Sequence, residues 1–185
     1  MLSAMSWNTP HPPPIVAALL LALACGCDGE PTTIYVDPAV DLGDYTGGFV
    51  VEGDPEVHLG FYVEQLFADL DDGDECPVAW GLQGGTWTMP AIKTRGIGSP
   101  AIVHCTLITS SGELLGDVES ESPLYLTPEL FLEIQAFPVP VTHEPPNETE
   151  PIDDLYGQTA TLWCSVTGPL EEVGESSVEV EIVEG

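Results

Sequence analysis

From Ile34 onward the chain alternates apolar and polar residues with a period of two. Between Glu56 and Glu64, Val57, Leu59, Phe61 and Val63 fall on one face and His58, Gly60 and Tyr62 on the other. Residues 101–109, 130–137, 159–167 and 177–183 alternate in the same way, and in the last of these Val178, Val180 and Ile182 oppose Glu179 and Glu181. Successive side chains of a strand point to opposite faces, so these segments read as half-buried antiparallel strands. Gly47-Gly48, Gly84-Gly85, the run from Gly96 to Pro100 and Ser110-Ser111-Gly112 punctuate them as turns. No stretch carries a sustained helical period with caps; Leu66 to Leu70 allows one short turn at most. Many short strands between turn signals predict an all-β fold, a sandwich or a barrel. One segment breaks the pattern: residues 138–154 hold Pro138, Pro140, Pro145, Pro146 and Pro151 among five acids. Proline cannot donate to a ladder, so a long exposed loop or an inter-domain linker is expected there.

The N-terminal region follows different rules. Ile15 to Ala24 is an unbroken apolar run, too short for the roughly 20 residues that span a bilayer core but suited to a secretory signal. It runs into Leu21-Ala22-Leu23-Ala24-Cys25-Gly26-Cys27, which resembles the bacterial lipobox. That resemblance implies cleavage and lipid modification at Cys25, or alternatively at Cys27 after Ala24-Cys25-Gly26. Residues 1–24 are then the signal, residues 25–33 a lipidated tether, and the membrane a partner through the lipid. One acyl chain holds only marginally, which is why such anchors carry more than one.

Charge narrows the function. All 31 acids and both bases, Lys93 and Arg95, lie at or after Asp28, and the formal net charge is −29. Binding phosphate requires clustered Lys and Arg, so nucleic acid is excluded as a partner. An electrostatic hold on anionic lipid is excluded for the same reason. Solubility, divalent-cation binding and a basic partner are the readings left, solubility being the simplest. An apolar fraction of 43% argues for a folded core, and about 160 residues suit one domain or two small ones.

Ala101-Ile102-Val103-His104-Cys105-Thr106-Leu107 is echoed by Ala160-Thr161-Leu162-Trp163-Cys164-Ser165-Val166. Each copy resembles the penultimate strand of an immunoglobulin-like sandwich, with a cysteine mid-strand. Val78 to Leu82, followed by Gly84-Gly85-Thr86-Trp87, resembles the middle of bacterial Ig-like and polycystic-kidney-disease-type repeats. The resemblance implies an antiparallel Ig-like β-sandwich over residues 34–119. Residues 120–185 are then a second small domain or the second half of one larger sandwich. It also implies a Cys76–Cys105 disulfide, with Cys105–Cys164 the alternative if a single sandwich forms. Export permits disulfides, and cleavage at Cys25 leaves an even four cysteines.

Candidate chemistry is sparse. Asp69, Asp71, Asp72, Asp74 and Glu75 crowd into seven residues, and such a run could offer oxygens to Ca²⁺. It fails the EF-hand pattern from either starting aspartate, and an ordinary acidic hairpin tip is the simpler reading. Trp80, Trp87 and Trp163 are expected in the core, the alternative being a sugar-stacking platform. His58, His104 and His143 show no metal-ligand spacing, and His104 should face away from its neighbour Cys105. No nucleophile elbow, phosphate loop or zinc-protease helix is present. The sequence therefore points to an exported, membrane-anchored lipoprotein acting as a non-catalytic binding or envelope scaffold module. A calcium-dependent adhesive or carbohydrate-binding module and a secreted hydrolase are the alternatives.

Overall fold

The computed structural model describes residues 49–50, 52–81, 84–143 and 151–185. The described residues belong to one compact unit. The expected signal and tether and both anchor candidates, Cys25 and Cys27, lie outside the described residues. The described chain is almost entirely β. A five-stranded sheet runs in the order β10 (Tyr125–Leu126), β11 (Leu132–Ile134), β6 (Ala91–Arg95), β2 (Glu56–Val63), β3 (Leu66–Asp69). A seven-stranded sheet runs β12 (Val139–Pro140), β5 (Thr86–Thr88), β4 (Asp74–Trp80), β14 (Val173–Glu184), β13 (Thr159–Thr167), β8 (Ala101–Thr109), β9 (Leu114–Ser122). Among the described residues only β14 and β4 pair in parallel. A short β1 (Phe49–Val50) pairs with β7 (Gly98–Ser99), and one 3-10 turn, η1, covers Asp153–Leu155.

The alternation in the sequence becomes the inside and outside of this sandwich. Ala101, Val103, Cys105 and Leu107 of β8 are buried, as are Ala160, Leu162, Cys164 and Val166 of β13. They join Val57, Leu59, Ile92 and Leu132 of the smaller sheet in a single hydrophobic core. Each large aliphatic side chain fully buried there contributes about 1.5–3 kcal/mol. The sheets approach closely where β2 lies against β14. A Cβ at Gly174 would stand 2.9 Å from Val57 Cγ2 and 3.0 Å from Ile97 Cδ1, so only glycine fits without displacing the core.

The outer strands of the large sheet meet. Beyond β12, Val141 N–H donates to Thr86 O of β5, and Thr142 N–H donates to Leu115 O of β9, both at 2.9 Å. A Cβ at Gly116 would lie 2.2 Å from Pro140 O, so glycine permits this seam. Joining two edges hides backbone groups that would otherwise template aggregation.

Three expectations change. The division at residues 119/120 falls in the middle of β9, where Glu119 and Ser120 pair with His104 and Val103; with one core, the single larger sandwich is what forms. Leu66–Asp69 is a strand rather than a helical turn, because it hairpins onto β2. The proline-rich segment does not begin as an exposed loop: Phe137, Val139, Val141 and His143 are buried. Proline is compatible with this position because β12 is an outer strand.

Candidate binding face of the large sheet

Four neighbouring strands, β9, β8, β13 and β14, turn one broad face to solvent. Its middle is formed by the outward residues of β8 (Ile102, His104, Thr106, Ile108) and β13 (Thr161, Trp163, Ser165, Thr167). In register, Ser165 lies opposite His104 and Trp163 opposite Thr106. His104 and Trp163 meet edge to face with ring centroids 5.4 Å apart. Ile102 and Ile108 are 45% and 36% exposed, unusual for isoleucine on a strand. Beneath this strip Cys105 and Cys164 are bonded, directly opposed across β8 and β13 with Cα atoms 4.1 Å apart. His104 does face away from Cys105, which is wholly buried.

Carboxylates flank the strip on both sides. Asp117, Glu119 and Glu121 of β9 stand opposite Thr106, His104 and Ile102. Glu175, Glu179 and Glu181 of β14 stand opposite Ser165, Thr161 and Thr159. Three inter-strand steps separate the two rows, roughly 14 Å from backbone to backbone. Glu181 is also in register with the exposed Glu75 of β4, a like-charge pairing that opposes folding. Among the described residues no Lys or Arg pairs with any of these groups; His104 Nε2, 2.8 Å from Asp117 Oδ1, is the sole basic partner.

The acidic run expected to offer a metal site lies beside this face. It does not converge on an ion. Asp74 Oδ2 accepts the Asp71 N–H at 2.8 Å, Asp72 Oδ1 accepts the Glu179 N–H at 2.9 Å, and Asp69 lies 3.5 Å from His58 Nδ1. Their carboxylates fix the turn and pin it to β14, extending the acidic row. Among the described residues no group of three or more His, Cys, Asp or Glu side chains could hold a metal ion.

The Cys76–Cys105 bridge is replaced by Cys105–Cys164. Strand order explains it: β14 and β13 lie between β4 and β8, whereas β8 and β13 are neighbours. The bridge thus lies within one sheet and does not link the two sheets as in an Ig-like sandwich. Cys76 is a buried free thiol 3.3 Å from Thr88 Oγ1, and burial pushes its pKa up, keeping it protonated and inert.

None of the three tryptophans packs in the core. Trp80 is 74% exposed near the end of β4, and Trp87 and Trp163 are half-buried. Trp80 is in register with Thr86, and Trp87 with Ala79, so the two rings belong to opposite faces of their hairpin and form no joint platform.

The outer face of the small sheet is of another kind. It carries both cations of the chain. Lys93 Nζ lies 4.6 Å from the Phe67 ring centroid, and the Arg95 guanidinium 4.0 Å from that of Phe131. Arg95 also approaches Glu56 at 3.5 Å, and Tyr62 donates its hydroxyl proton to Glu133. Burial, reinforced by the Glu133 carboxylate, pushes the Tyr62 pKa up to about 12. The chain matches no protein-family model, no curated protein and no solved structure.

Proposed function

We propose that this chain is an exported, lipid-anchored, non-catalytic binding module that captures a cationic polypeptide segment on the outer face of β9, β8, β13 and β14. The observation that carries the reading is the pair of acidic rows with a strip between them in which Ile102, Ile108 and Trp163 stand among threonines, a serine and His104. Unpaired like charges in neighbouring strands cost stability, and a basic partner would convert that cost into affinity. A helix is about 10–12 Å across with its side chains, which matches the space between the rows. Trp163, Ile102 and Ile108 supply the apolar contact, and the carboxylates steer association and set its specificity. A second copy of the chain is a poor occupant, because each copy carries −29. The lipobox-like Cys25 supports the membrane anchor.

Titration calorimetry of the mature chain with an amphipathic Lys–Leu peptide tests the face, using a Glu–Leu peptide as control. The Lys–Leu peptide should bind, with affinity falling as salt rises. Glu119→Gln with Glu179→Gln should weaken it several-fold while the fold persists. No binding, or binding unchanged in the variant, overturns the reading. So does a rise in melting temperature with millimolar calcium that Asp71→Asn plus Asp74→Asn abolishes. For the anchor, Cys25→Ser should block lipid labelling and release the chain from membranes; loss only in Cys27→Ser would move the anchor to Cys27.

A further inference from the structure

At the seam of the large sheet a buried histidine holds two carboxylates at once. His143 Nδ1 lies 2.9 Å from Glu113 Oε1, and Nε2 lies 3.1 Å from Asp154 Oδ1. Glu113 comes from the turn between β8 and β9, His143 follows the seam residues Val141 and Thr142, and Asp154 belongs to η1. The two carboxylates approach opposite edges of the ring, so they cannot converge on one ion. A neutral imidazole has one N–H to donate and leaves a lone pair on its other nitrogen; only the imidazolium donates from both. Deprotonation therefore sets a lone pair against a carboxylate in a nearly buried site, where an unmet acceptor is costly.

We propose that His143 is a proton-operated latch on the β12–β9 seam: protonated, it clamps η1 and the seam to the β8–β9 hairpin, and on losing its proton it releases one of these contacts and loosens the seam. Glu113 and Asp154 are the charged groups facing the ring among the described residues. The hydrogen bond to Glu113, aided by that to Asp154 and by both charges, outweighs burial and raises the His143 pKa above its usual 6.5. The clamp is then fully present below about pH 6.5, the unfolded value, and is lost as pH rises through the higher folded pKa. The seam has a built-in reporter in the Thr142 N–H, which donates to Leu115 O.

NMR of the intact chain between about pH 5.5 and 8.5 tests the latch by following the His143 ring and the exchange of the Thr142 amide. His143 should titrate above 6.5. Thr142 protection, corrected for intrinsic exchange, should fall several-fold across that titration, while Val180 in the sheet interior stays protected. Asp154→Asn, at an exposed carboxylate, should lower the His143 pKa without unfolding the chain, and His143→Gln should make Thr142 protection independent of pH. A His143 pKa at or below 6.5, or Thr142 protection that is flat with pH in the unmodified chain, overturns the proposal.

Discussion

The two sheets turn very different faces to solvent. On the small sheet the charges are answered within the molecule: Lys93 and Arg95 lie over Phe67 and Phe131, Arg95 meets Glu56, and Tyr62 meets Glu133. On the large sheet six carboxylates bracket a strip whose one basic group is His104. Both faces are built from the same alternating strands, so architecture does not distinguish them. What differs is whether the side chains satisfy one another. A face with internal partners contributes to the stability of the fold; a face of uncompensated like charges opposes it. Both cations of a strongly acidic chain go to the first face, which leaves the second uncompensated.

Breaking the platform under the acidic strip should have the largest effect. The Cys105–Cys164 bond spans 59 residues of sequence, and in the chain-entropy model its loss costs about 4 kcal/mol. Chemical denaturation of a Cys105→Ala, Cys164→Ala variant should show a destabilisation of that size, with peptide capture falling in parallel. A stability unchanged from the parent would mean the strip does not depend on the bond.

The next effect separates the faces directly. Arg95→Ala removes the guanidinium from Phe131 and from Glu56, and should lower stability by about 1 kcal/mol, most of it from the ring contact. Binding of the Lys–Leu peptide should be unaltered. Equal losses of binding and stability would contradict the assignment of this face to folding.

The smallest effect on stability belongs to the acidic rows. Glu75→Gln relieves the like-charge contact with Glu181 and should raise stability by a few tenths of a kcal/mol, with the gain shrinking as salt screens the pair. Peptide affinity should drop in the same variant. A loss of stability on this substitution would mean that Glu75 has a favourable partner.

Much of the fold was legible in the chain. The segments predicted at residues 101–109 and 159–167 coincide with β8 and β13, and the inward parity of Val103, Cys105, Leu162 and Cys164 is as the alternation predicts. The partner of Cys105 was left between two candidates, because parity says which way a sulfur points and not which strand lies beside it. The acidic rows escaped notice for a related reason. Asp117, Glu119 and Glu121 lie at residues 114–122, where the alternation predicted no strand, and they form a row only once β9 and β14 are seen to flank the same strip. Trp163 was expected in the core by residue type, although its own alternation places it opposite to Leu162 and Cys164. That was the signal to follow.

Period-two alternation is local, so the sequence by itself determined that the chain is β and which side chain of each strand faces inward. Burial of apolar surface enforces that choice, since slipping the pattern by one residue would turn the whole core outward. Strand order and register are set by contacts between segments far apart in the chain, and no short spacing encodes them. Tertiary structure alone therefore decided that Cys105 meets Cys164 across 59 residues. It alone brought two acidic strands to either side of His104 and Trp163, and it alone set His143 between Glu113 and Asp154 at the closing seam.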